Sequence, residues 1–522
     1  MLHLEPLENR VLLSFAAQIN FAPVSVTVPD GYVADNGRVF ADRGNGFDYG
    51  WSRSRSTGSS RSARSPDVRY DTYVKMQKKG SAVWEIQVPD GVYSVDIVAG
   101  DARSASRNYH IQAEGTDVIN ARASSNQRWI EGTAQVTVTD GRLTLATAKG
   151  ASSNNVCFVA ITQTSEAAIQ YQAPITITRG GTYSGNWESN DPKTPAVTVA
   201  TTDPVTIVNS NIRSAGELIS ASGHVDLTVR NTTGRALNPE VSSKHAGRFL
   251  DVDGWTQVTV ENCEMDGTSG IYLNNYRGDH SAGQSVSILR NSAHNIDGRY
   301  SDGNGGYSRR SDDVQFFQID GGHDLSGAEI AWNQVINDPR QSRVEDNISI
   351  YNSSGTASSP LLIHDNYIQG AYPADPGSSN YSGGGIMLSD NGSAWVNAFN
   401  NQVIATSNYG VAISSGHDNT FYGNTIISTG RLPDGSAVRS QNVGAYIWNQ
   451  NHEKSFANNS GHGNIIGWVK GNKRNDFWTP DASEWINNAS VPGAVTSDLE
   501  AQQFQNWQAK LRDKAVTVGP SN

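Results

Sequence analysis

Cysteine is almost missing from this chain of 522 residues, which holds only Cys157 and Cys263. A disulfide-stapled scaffold and a thiolate metal cluster are therefore excluded, because both need several cysteines at short spacing. Each cysteine lies in an apolar run, so two buried thiols are a simpler expectation than a bridge. Charge is sparse too, at 17% of residues, and its balance is acidic, with 51 Asp and Glu against 40 Lys and Arg. The positive field that a phosphate backbone demands is lacking, and no nucleic-acid partner is expected. No run approaches the about 18 consecutive apolar residues of a spanning helix, so membrane insertion is not expected. His364, His417, His452 and His462 come singly, without the spacing of a zinc site, and Gly383-Gly384-Gly385 precedes a strand rather than opening a helix. No metal is assigned, and no nucleotide cofactor is expected.

What is abundant is Gly, Ser, Asn, Thr and scattered aromatics, the mixture of an all-β chain with many turns. The length suits two cores rather than one. From about Ala17 to Ser165, alternating runs are closed by turn residues. Trp84 to Val88, then Pro89-Asp90-Gly91, then Val92 to Val98 predicts a hairpin, and Ala134 to Val138, Thr139-Asp140-Gly141, Arg142 to Leu145 repeats the grammar. An antiparallel β-sandwich is expected here.

Beyond it the sequence repeats. Apolar alternation ahead of Asn recurs at Asn209, Asn231, Asn262, Asn291, Asn333, Asn366, Asn401 and Asn424, at intervals from about 22 residues upward, as in a stacked solenoid. Asn tolerates left-handed backbone angles, and its amide can bond the Asn of the next coil. A second register runs between these turns and predicts that Leu250, Ile271, Phe317, Ile348, Ile386 and Val411 point into the coil. Ser497 to Lys514 reads as a helix opened by a capping box at Ser497 and Glu500, lying over the last coil.

Three resemblances sit on these residues. Leu4-Glu5-Pro6-Leu7-Glu8-Asn9-Arg10 resembles the Leu-Glu-Pro-Arg-type export tag of bacterial surface and secreted proteins, which implies a secreted or cell-surface location. Ile19-Asn20-Phe21, Gly31-Tyr32, Asp42 to Gly46 and Tyr49-Gly50-Trp51 resemble malectin-like and galactose-binding-like carbohydrate-binding modules. The coils resemble the right-handed parallel β-helix of polysaccharide lyases and several glycoside hydrolase families. The organisation expected is an export segment over 1–16, a sandwich over 17–165, a linker over 166–174, a right-handed β-helix over 175–488 and a C-terminal cap and tail over 489–522.

Tyr49, Trp51 and Trp129 have two uses open to them: stacking on sugar rings, or filling the core of a sandwich short of other large side chains. In the solenoid, the insertions Arg277 to Gln284 and Asp297 to Asp313 are expected to flank a face of outward side chains. Catalytic candidates there are Asp320 and Asp346, with Glu345, Asp253 and Asp251 as substitutes. Asp320 and the Glu345-Asp346 pair are expected one rung apart, and Asp253 and Asp320 two rungs, about 9.6 Å. Such spacings bracket the about 5–9.5 Å between the paired carboxyls of glycosidases, so hydrolysis of a polysaccharide is the favoured chemistry. Arg343, Gln318, Tyr351, Asn274, Tyr300, Arg248 and Trp448 are candidate substrate-binding residues. The rival is β-elimination on a uronate polymer. Lys244, His245, Arg248, Arg343 or Tyr351 would be its base, and Asp251 and Asp253 would hold Ca²⁺. The hydrolase itself requires no cofactor. The third reading is a non-catalytic, carbohydrate-binding adhesin. A monomer is expected.

Overall fold

The computed structural model describes residues 15–520 apart from 30, 60–64, 66, 78, 79, 81, 104, 105, 167 and 168. All but the last two residues of the expected export segment lie outside the described residues. The chain divides into two compact units, one ending at Ile169 and the other beginning at Gln170. Among the described residues nearly every element is a strand, with one α-helix. No helix among them is long and apolar enough to cross a membrane.

In the first unit two sheets share one apolar core. Trp84–Gln87 and Gly91–Gly100 fall in different sheets: the former pairs with Arg142–Thr147, the latter with Trp129–Val138 and Asn155–Glu166. The two Asp-Gly turns therefore carry the chain from one sheet to the other instead of closing hairpins. They pack together, with Gly141 N–H donating to Asp90 Oδ1 at 2.9 Å and Val88 N–H to the Gly141 carbonyl at 3.0 Å. Alternation and a Gly turn serve an arch as well as a hairpin, and only long-range pairing chooses between them.

Tyr49 and Trp51 are core residues, 2% and 1% exposed, which corrects their candidacy for sugar binding. Trp51 and Trp84 both donate through Nε1 to the buried Asp35, at 3.1 and 2.8 Å. Tyr49 donates to the Ala34 carbonyl at 2.8 Å. Trp51→Ala is expected to destabilise the unit by about 3–5 kcal/mol through a cavity and an orphaned Asp35 hydrogen bond. A urea midpoint within error of wild type would contradict that.

The second unit is built on two long, mainly parallel sheets, of twenty and twelve strands among the described residues, with each coil contributing to both. Sheets of this kind are compatible with a parallel β-helix. Leu250, Ile271, Phe317, Ile348, Ile386 and Val411 are fully buried, as their period implies.

The Asn repeat resolves into two neighbouring columns that divide the work expected of one residue. Asn209, Asn231 and Asn262 adopt left-handed angles of φ 45–50°, a role taken by Arg290, Trp332, Asp365 and Asn400 in later coils. Asn291, Asn333, Asn366, Asn401 and Asn424 occupy the next position and form a buried ladder. Each Nδ2 donates to the Oδ1 above at 2.9–3.0 Å, and the ladder continues through Asn464 to Asn488. Each Nδ2 also bonds a backbone carbonyl, and each Oδ1 accepts a backbone N–H, as Asn401 does with Ile363 O and Asn366 N. Asn401→Ala leaves several buried groups unpaired and is expected to cost about 3 kcal/mol or more, against about 1 kcal/mol for the neighbouring Asn400→Ala. Equal effects in equilibrium denaturation would remove the distinction between the columns.

The helix Ser497–Lys514 starts one residue earlier in its capping than expected: the Thr496 side chain accepts from Leu499 N–H, while Glu500 accepts from Thr429 N–H at 2.6 Å. It lies along the flank of several coils rather than over the last one. Trp507 is buried against Tyr367, Ile404 and Ile427. Its Nε1 donates to Gln334 at 2.9 Å, and Gly519 beyond the helix reaches the Arg290 carbonyl at 2.8 Å.

Cys157 and Cys263 are buried free thiols.

Candidate active site

Each strand of the paved face enters its coil at a corner where two successive residues point inward before period two begins. Phe316 with Phe317 and Asn347 with Ile348 are fully buried. A Cβ on Gly385 or Gly410 would sit 2.4 Å from Val403 or 2.3 Å from Ile426 in the core. The residue before each pair therefore points out. This places Gln315, Asp346, Gly384, Tyr409 and Val443 in one outward column, paired rung by rung. A second outward column runs Asp251, Tyr272, Gln318, Ser349, Met387, Ala412, Tyr446, Trp478. A third runs Asp253, Asn274, Asp320, Tyr351, Asp390.

These registers correct the expected Asp320 and Asp346 pair. The two lie on adjacent rungs, but Asp346 pairs with Gln315 at one end of the strands and Asp320 with Tyr351 at the other. Five residues of strand, about 16 Å, separate the ends. Asp253 and Asp320 do lie two rungs apart, with Asn274 between them. The acids fall into two clusters instead.

The first cluster is built on Glu345 and Asp346. Asp346 is 8% exposed, and the Tyr409 hydroxyl donates to its Oδ1 from two rungs away. That reach is possible because Gly384, on the intervening rung, has no side chain: a Cβ there would lie 2.1 Å from Asp346 Oδ1 and 2.4 Å from the Tyr409 ring. Burial raises Asp346 well above the ordinary carboxyl range, and the Glu345 and Asp390 charges add to it against the Tyr409 bond and Arg343. Glu345 is half-buried and accepts from Gln315 Nε2 at 3.2 Å. Burial raises it first, then the charge of Asp313.

Loops wall this end of the strands. Arg299–Ser301 and Tyr307–Ser311 form a hairpin within the long insertion. Arg343, expected at substrate, is 8% exposed and spent on pinning these loops: it donates to the Asp312 carbonyl at 2.6 Å, to Asp313 at 2.7 Å and to Ser382 at 3.3 Å. Ser382 belongs to a further insertion, 372–383, linked to the hairpin by Arg309 and Asp375 at 3.4 Å. Towards the C-terminal coils the face turns aromatic, with Tyr446 edge-on to Tyr409 at 5.3 Å and Trp448 beside Trp478 at 5.2 Å.

The second cluster lies on earlier coils. Glu217 Oε2 accepts from Arg248 N–H at 2.5 Å. The Arg248 guanidinium covers the Tyr272 ring at 4.7 Å, and Tyr272 donates to Asp320 at 3.3 Å. Asn275 holds Asp253 at 2.6 Å, and Tyr300 stacks on His245 at 6.3 Å. Burial, then the Asp251 charge, raises Glu217 to about 7. Asp251 is raised by burial against the pull of Arg248, and Arg248 is lowered by burial. Among the described residues no group of three or more His, Cys, Asp or Glu side chains is arranged to hold a metal ion.

Glu217 sets a pH dependence. Its folded pKa lies above the unfolded value, so its contribution is complete below about pH 4.5 and is lost as pH rises through 7, on the order of 3 kcal/mol. Stability in urea is expected to fall over that interval, and Glu217→Gln to flatten the fall. An unchanged slope would show that another group carries it.

No known family model matches the chain, nor does any curated protein. Among solved structures, the catalytic domain of a GH87 α-1,3-glucanase aligns over 86% of this chain and 99% of its own, at 10% identity and a TM-score of 0.29. The protein YXIM of Bacillus subtilis aligns over 38% of this chain at 17% identity and a TM-score of 0.24. A calcium-binding mutant of Bacteroides uniformis β-glucuronidase 2 aligns over 28% at 11% identity and 0.23. The chain spans 63% of the length of the Bacillus protein and 18% of that of the glucuronidase. At these scores no activity passes from them to this chain.

Glu217, Tyr272, Asp390 and Tyr409 escaped the sequence reading. Glu217 and Tyr409 left the same trace there, each one residue ahead of an inward pair at a strand entry, Leu218-Ile219 and Gly410-Val411.

Proposed function

We propose that the second unit cleaves glycosidic bonds of a polysaccharide by hydrolysis, with Asp346 as proton donor. The observation that carries this is the clasp of Asp346 by Tyr409 across Gly384. Burial keeps this carboxyl protonated on an outer face, and the clasp fixes its position, with Oδ1 engaged by Tyr409 and Oδ2 left to carry the proton. Asp346 gives that proton to the leaving oxygen as the C–O bond breaks; Glu345 takes the proton of the attacking water or attacks the anomeric carbon itself. Tyr446, Trp448 and Trp478 offer ring faces to adjoining sugars. Asp390, at the far end of its strand, acts on both acids only through its charge. Gln318, Asn274 and Tyr351 line the same face as hydrogen-bonding groups. The coils are right-handed, the first unit is a sandwich that binds carbohydrate, the flank helix seals the coils it crosses, and the chain works outside the cell as a monomer.

Incubation with neutral and uronate polysaccharides, α-1,3-glucan included, tests the reaction. Reducing ends without ultraviolet absorbance of an unsaturated product mean hydrolysis; both together mean elimination; neither across the panel favours a binding scaffold. Elimination has one observation on its side, the lowered pKa of Arg248 beside Tyr272, which would make Arg248 the base and the second cluster the centre. Asp251 and Asp253 would then bind Ca²⁺ in company with substrate carboxylates.

A further inference from the structure

Trp129 opens the strand Trp129–Val138 and pairs with Gly100. A Cβ on Gly100 would fall 2.1 Å from the Trp129 ring, so the glycine lets the indole lie flat across the backbone of the neighbouring strand. Beneath it are Val98, Cys157 and Phe158. Its other side bounds a cavity of about 820 Å³ lined by Tyr70, Asn126, Gln127, Arg128 and Glu131. Tyr70 stands edge-on to the indole at 5.7 Å and 87°, a wall at right angles to a floor. The Tyr70 hydroxyl donates to Glu131 Oε1 at 2.7 Å, which orients the carboxylate. The loop before the strand is closed by Ser124 N–H on the Gln127 carbonyl at 2.9 Å and Gln127 N–H on Ser124 Oγ at 3.1 Å, leaving the Asn126 and Gln127 side chains exposed on the rim.

We infer that this cavity of the first unit is a binding site for a neutral pyranose of a polysaccharide, stacked on Trp129 and hydrogen-bonded by Glu131, Arg128, Asn126 and Gln127. The flat indole matches the apolar C–H face of a sugar ring, and the rim supplies acceptors and donors for its hydroxyls. Glu131 and Arg128 balance in charge, which favours a neutral sugar over a uronate. Cavities of about 300–1,000 Å³ are the usual size for a ligand of one or a few rings. The site rests on the reading of this chain as acting on carbohydrate, and it replaces Tyr49 and Trp51 by a different surface of the same unit.

The test is retention of the full chain on insoluble neutral polysaccharides, with methyl glycosides as competitors and thermal melting as the control for folding. Trp129→Ala is expected to weaken retention about tenfold or more, Trp129→Phe by less, and Glu131→Gln by several-fold, with the cleavage rate on short soluble oligosaccharides unchanged in all three. Wild-type retention in folded Trp129→Ala and Glu131→Gln, or no retention of the wild-type chain on any neutral polymer, overturns the proposal. Absence of cleavage by the wild-type chain would count against the hydrolase alone, since retention is read separately.

Discussion

Asp346→Asn is expected to lower turnover of the polymer by about 10²–10⁴-fold while leaving the fold intact, the usual contribution of a positioned proton donor. The amide fits the same space and still accepts from Tyr409, but it has no proton to give. Asp320→Asn, at the far end of the neighbouring strand, should change turnover by only a few-fold. Rates with a substrate whose leaving group is already acidic make the assignment sharper: such a leaving group needs no donor, so the Asp346→Asn deficit should shrink on it. A variant that turns over the polymer at the wild-type rate removes Asp346 from the chemistry. A large loss in Asp320→Asn with none in Asp346→Asn would move the centre to the Glu217, Asp251 and Arg248 cluster.

Gly384→Ala should be almost as damaging, although it neither adds nor removes a functional group. Its Cβ would lie 2.1 Å from Asp346 Oδ1 and 2.4 Å from the Tyr409 ring, and neither neighbour is a free end. Asp346 accepts from Tyr409, and Tyr409 packs among Met387, Ala412 and Val443. Displacement of a reacting carboxyl by about 1 Å costs about 10²-fold in rate, and overpacking costs about 1–3 kcal/mol in stability. Tyr409→Phe is the companion: it keeps the ring and removes only the hydroxyl. Because that hydroxyl stabilises the ionised form of Asp346, its loss should move the pH limb governed by Asp346 towards higher pH. If Gly384→Ala is as active and stable as wild type, the clasp has no functional weight.

The two clusters show how far the residues could be read in advance. Glu345 and Asp346 stand out as adjacent acids at a strand entry, and the structure keeps them on the outer face. Their partner does not follow from spacing. Asp320 is twenty-six residues before Asp346 and one rung away, yet five residues out of register with it, because Asp346 opens its strand opposite Gln315 while Asp320 closes the neighbouring strand opposite Tyr351. Tyr409 and Gly384 carry no mark of catalysis in the sequence, since a tyrosine before an apolar strand and a glycine in a Gly-rich run each have ordinary structural uses. Arg343 seemed free to meet substrate until the insertion at 372–383 supplied Ser382 and the hairpin supplied Asp313.

Local chemistry was enough to determine the kind of strand, the coil repeat and which side chains point inward, because alternation, apolar burial and the left-handed tolerance of Asn act over a few residues. The Asn repeat as far as Asn424 was visible for the same reason, but its split into two columns and its continuation through Asn464 to Asn488 came only from the stacked coils. Partner choice was not local. Whether an Asp-Gly turn closes a hairpin or arches between sheets, whether Trp51 fills a core while Trp129 floors a cavity, and which carboxyls share a cluster all depend on segments brought together across long insertions. Burial and proximity are properties of that assembled surface, and they alone raised the pKa values of Glu217 and Asp346.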